Sequence, residues 1–204
     1  MTMERMAPRT TPDDMTKGRS WTGHFFSAPE NLPVSFLYDG KRVTGIPSGW
    51  APVSQERRID ANIIEAIFEG NDVTTGLNVR VECLKYLDYP VVEWTAWLTN
   101  TGSRPTPLIR DILALDAAFE GASAQVYHCN GDFNSEEGYT PQETPLPDGG
   151  ALTLAPQGGR PCDGAFPYVR IGFDGCGLTL AVGLISASRV VAAKPTVTVY
   201  KSPT

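Results

Sequence analysis

Apolar and polar residues alternate from Leu77 to Leu87. Leu77, Val79, Val81 and Cys83 share one side, and Asn78, Arg80 and Glu82 share the other. A period of two is that of a half-buried strand. Asp88-Tyr89-Pro90 then turns the chain, and Val91 to Thr99 alternates again. Val92, Trp94, Ala96 and Leu98 are expected to face inward with Leu77, Val79 and Val81, leaving Glu93, Thr95, Trp97 and Thr99 on the opposite face. Asn100-Thr101-Gly102-Ser103 closes this strand. Thr106 to Asp116 is richer in aliphatic residues, the pattern of a strand buried on both faces, and the three segments together read as a β-meander.

Upstream, Val34–Tyr38 and Arg42–Ile46 flank Asp39-Gly40, a strong two-residue hairpin signal. Downstream, strands are expected at Ala124–His128, Tyr168–Phe173 and Leu178–Leu184. Asp174-Gly175-Cys176-Gly177 joins the last two, and Val190–Tyr200 adds one more. Ile59–Glu69 fits either a short amphipathic helix or a strand. Pro52 before it and Gly70-Asn71-Asp72 after it favour the strand. The stretch from His128 to Tyr168, rich in Gly, Pro and acids, reads as a long loop, of the kind that is usually functional or disordered.

These elements predict an all-β chain, a large antiparallel β-sandwich. The count of turn formers, Gly 20 and Pro 17 in 204 residues, agrees with many short strands. The expected organisation is a flexible polar leader over 1–24, one sandwich domain over 25–200 and a tail over 201–204. The net charge of −6, without a basic stripe, argues against nucleic acid as partner. No apolar run approaches membrane-helix length, and the N-terminus lacks the apolar core of a secretory signal. The four cysteines, at 83, 129, 162 and 176, include no C-x-x-C pair, so free thiols in a cytoplasmic protein are expected and a structural zinc site is not.

Several stretches resemble a known family. They are PVSFLYDGK from Pro33, TGLNVRVECLKYLDYPVVEWTAWLTNTGS from Thr75, TPLIRDILALD from Thr106, HCNGDFNSEEGYTPQ from His128 and GGRPCDGAFPYVRI from Gly158. Together they resemble the N-terminal β-sandwich of bacterial α-galactosidases, the melibiase-type glycoside hydrolases, over about residues 25–183. The resemblance implies a supersandwich-like fold. In that family a (β/α)8 barrel of about 250 residues follows and carries both catalytic carboxylates. Only 21 residues follow Gly183 here, and LISASRVVAAKPTVTVYKSPT departs from the family's Trp-rich continuation. The implied role is a non-catalytic accessory or carbohydrate-binding sandwich. It would take an oligo- or polysaccharide and no cofactor. A sandwich without its barrel exposes an apolar patch, so a homo-oligomer is also expected.

Candidate chemistry gathers on the acidic loop. Asp132, Glu136 and Glu137 lie within six positions, beside His128 and Tyr139. Glycoside hydrolysis needs two carboxylates about 5 to 9.5 Å apart, so these acids support an alternative, a small standalone glycoside hydrolase. Against it stands a solvated loop whose acids only keep it soluble. Trp50, in PSGWAP, offers a flat face for a sugar ring or else caps the core. Arg160, after a Gly-Gly pair, offers paired donors to a ligand or an ion pair that anchors the loop. His128, Cys129, Asp132 and Cys162 match no familiar metal-site spacing. Neither a G-x-S-x-G elbow, a P-loop nor a dinucleotide fingerprint occurs.

Overall fold

The structure, a computed structural model, describes residues 10–119, 123–131, 136–156, 162–173, 176–183 and 197–200. It is an antiparallel, sandwich-like all-β fold with a single α-helix among these residues. The chain divides into two compact units, one ending at Ala118 and one beginning at Phe119, where the sequence suggests one domain over 25–200.

Among the described residues the first unit opens with helix α1 (Pro12–Phe25), which spans the second half of the expected flexible leader and reaches the first residue of the expected domain. Its start has a local cause. Thr11 accepts a hydrogen bond from the Asp14 amide, Asp14 accepts one from the Thr11 amide, and Pro12 takes the first helical position. Trp21 and Phe25, four residues apart, lie on one face and pack on the core. Gly18 lets the helix approach closely, since a Cβ there would meet Pro90 Cβ at 2.6 Å.

Strands β1 (Ser35–Tyr38) and β2 (Lys41–Thr44) form the expected hairpin. Asp39 and Gly40 both have positive φ, 49° and 75°, as a type I′ turn requires. Then come β3 (Val53–Arg58), β4 (Ile63–Asp72), β5 (Leu77–Tyr86) and β6 (Val92–Asn100), neighbours in one four-stranded sheet. Within Ile59–Glu69 the structured element is therefore a strand, as the flanking turns indicate. The register sets Phe68 beside Val81 and Ala96, and Ala66 beside Cys83 and Trp94. These residues line the inner face. The other face carries Arg57 on Glu65, and Arg80 between Glu69 and Glu82. Val92, Trp94, Ala96 and Leu98 do face the core, but only half-buried, because β6 is the outer strand of its sheet.

Strand β7 (Ile109–Leu113) corrects two expectations. It does not continue a meander from β6 but crosses to pair with β1, in the order β2–β1–β7. Nor is it buried on both faces, for four of its five residues are exposed. Phe36 and Tyr38 of that sheet close one core with Phe68, Val79 and Val81 of the other. This shared core is what makes the unit a sandwich.

The second unit contains β8 (Ala124–His128), β9 (Gln142–Leu146), β10 (Ala151–Leu154), β11 (Tyr168–Phe173), β12 (Cys176–Ala181) and β13 (Val197–Tyr200). One sheet runs β12–β11–β8–β9, and β10 pairs with β13. Its core is Val126, Leu146, Val169 and Ile171. The presumed long loop thus holds two strands. It looked structureless because Pro145 and Pro147 interrupt the alternation. The turn between β11 and β12, the first part of Val190–Tyr200 and the tail 201–204 lie outside the described residues.

Candidate functional site

The acidic loop is the connection of the β8–β9 hairpin, whose last pair is His128 with Gln142. Three main-chain hydrogen bonds brace it. The Gly131 amide donates to Gly138 O (2.8 Å), the Thr140 amide to Glu137 O (3.0 Å), and the Phe166 amide to Cys129 O (3.0 Å). The last brings the 162–167 segment against the loop. Tyr139 meets Phe166 edge to face, with ring centroids 5.7 Å apart and planes at 77°. Tyr139 nevertheless remains 56% exposed. Its ring is thus held against a second aromatic while the residue as a whole stays more than half exposed.

His128 stands at the loop's base, with Nε2 3.0 Å from Thr144 Oγ1. Its Nδ1 is buried and has no hydrogen-bond partner among the described residues. Burial holds the imidazole below its ordinary pKa of 6.5. The unfolded chain therefore takes up this proton before the folded chain does. The resulting stability is complete above pH 6.5 and declines as pH falls through the window between the unfolded and folded pKa values. We expect the melting temperature to fall as the pH drops below 6.5, and His128→Gln to flatten that slope. Asp72 contributes separately and at lower pH. Its carboxylate is held below 3.8, first by the Thr75 hydroxyl, so its share is lost only in stronger acid.

Glu136 and Glu137 are exposed on the same loop. Asp132 and Arg160 lie outside the described residues, so the carboxylate pair of a hydrolase is not formed by groups whose spacing is described. Trp50 lies in the first unit, half-buried in a 3-10 turn (Ser48–Trp50). Its ring is 5.9 Å from Tyr38 and 6.4 Å from Phe36, the geometry of a core cap. Cys83, Cys129 and Cys162 are free thiols, and burial pushes Cys83 up to about 12. No group of three metal-binding side chains occurs among the described residues. No helix among them is long and apolar enough to cross a membrane.

Sequence reasoning missed Phe166 as the support for Tyr139. The signal was local, an aromatic next to Pro167 in a Gly- and Pro-rich stretch, but its partner lies 27 positions away.

Comparisons with protein-family models, with curated proteins and with solved structures each find no match to this chain.

Proposed function

We propose that this chain is a non-catalytic, carbohydrate-binding or accessory β-sandwich, similar in role to the N-terminal domain of α-galactosidase-like glycoside hydrolases. Its ligand is an oligo- or polysaccharide, and it works as a homo-oligomer without a cofactor. The observation that carries this reading is the exposed Tyr139 ring, fixed on Phe166 by a loop with three main-chain braces. A preorganised aromatic face binds a sugar at low entropic cost. Glu136, exposed three positions before Tyr139 on the same loop, offers acceptors to sugar hydroxyls. Free thiols suit a reducing compartment, so the cytoplasm is the proposed location.

Affinity electrophoresis against galactose- and glucose-bearing polysaccharides tests the reading. Wild-type protein should be retarded, and Tyr139→Ala should lose about 1 kcal/mol or more of binding. Aryl galactosides should not be hydrolysed. Turnover that disappears in Glu136→Gln would replace the binding reading with the hydrolase.

A further inference from the structure

The aliphatic segment around β7 has the composition of a strand with both faces covered, yet the chain leaves it open. Leu108 is 69%, Ile112 50% and Leu113 38% exposed. β7 is the outer strand of its sheet, and no described strand pairs along its far side. An uncovered apolar edge of this kind is a ready site for another chain.

The order of residues favours a second copy of this chain. From Leu108 the sequence runs Leu-Ile-Arg-Asp-Ile-Leu. The apolar residues read the same in both directions, and the two central residues, Arg110 and Asp111, carry opposite charge. Two such segments placed antiparallel about a two-fold axis between positions 110 and 111 set Leu108 against Leu113 and Arg110 against Asp111. Symmetry makes each contact twice. Arg110 and Asp111 are both exposed. The register between β1 and β7 slips by one residue between Ser35 and Leu37, and Asp111 has φ 49°. Such a bulge bends the strand and interrupts main-chain pairing, so the side chains carry the contact.

We propose that β7 is the self-association edge of this protein, where two copies meet antiparallel through Leu108 with Leu113 and Arg110 with Asp111. This gives the homo-oligomer proposed above its surface. It rests on that part of the reading alone and is independent of sugar binding.

Sedimentation velocity on the full chain tests it. Wild-type protein should form a concentration-dependent dimer. Arg110→Asp sets like charges together twice and should weaken the dimer by about tenfold or more. Asp111→Arg should do the same, and an equimolar mixture of the two variants should dimerise again. Leu108→Glu alters an exposed position outside the core and should give a folded monomer. A wild-type monomer at the highest soluble concentration overturns the proposal. So does a dimer that survives both Arg110→Asp and Leu108→Glu, and so does failure of the mixed variants to recover. Sugar retention of the monomeric variants, read separately, shows whether the binding face stands or falls on its own.

Discussion

Replacing Phe36 with alanine should destabilise the first unit by about 3–5 kcal/mol. Phe36 is fully buried, and its ring lies 6.3 Å from Tyr38 and 6.4 Å from Trp50 in the core shared by both sheets. Truncation removes the transfer energy of the ring and leaves a cavity between two strand layers that cannot close over it. A domain is stable by only about 5–15 kcal/mol, so the variant should be close to unfolding at physiological temperature. Urea denaturation followed by tryptophan fluorescence measures the loss, with Val73→Ala, at an 87% exposed position away from the β7 edge, as the control expected near zero. Trp94→Ala should cost less than Phe36→Ala. Trp94 is only half-buried, although its Nε1 donates to Ala114 O (2.8 Å) and its ring faces Phe26 at 5.3 Å. A Phe36→Ala variant as stable as wild type would show that the two sheets do not share this core.

Gly131→Ala should disrupt the candidate site more than any change of its exposed side chains. Gly131 has φ 83°, and a Cβ there would sit 2.2 Å from the Cys162 carbonyl oxygen. The oxygen is main chain and the Cβ is fixed rigidly to its own Cα, so one of the two segments must move. The left-handed conformation alone costs a non-glycine residue of order 1–3 kcal/mol, and the collision adds to it. Moving either segment separates Tyr139 from Phe166. The expected result is a lower melting temperature together with loss of sugar retention. Gly40→Ala is the matched control. It also has positive φ, 75°, but nothing lies within 4 Å of the added Cβ, so it should carry the conformational cost alone and keep binding.

The β architecture was legible where side chains alternate between a core and solvent. Leu77 to Cys83 and Asp39-Gly40 are the clearest cases, because strand pleat and turn sign act locally. Three features were not legible. Helix α1 has two glycines and little apolar periodicity. Its only sequence signals are Thr11-Pro12-Asp13-Asp14 and the Trp21–Phe25 spacing, and its stability comes from packing on a distant hairpin. The crossing of β7 to β1 is a choice of partner, which a single strand's pattern does not encode. The division near Ala118 falls in the Ala-rich stretch 114–124, which breaks no strand pattern strongly. At the candidate site, the acids, His128 and Tyr139 stood out by composition, but the bracing by Gly131 and Phe166 depends on contacts between distant segments.

The braced β8–β9 loop is proposed to bind sugar through Tyr139. An NMR titration of the isotopically labelled chain with galactose-bearing oligosaccharides tests it most directly. The account predicts saturable shift changes confined to Tyr139, Phe166, His128 and their main-chain neighbours, abolished in Tyr139→Ala with the rest of the spectrum preserved. Saturable changes that cluster elsewhere, or a spectrum unmoved by any sugar at saturating concentration, would contradict it.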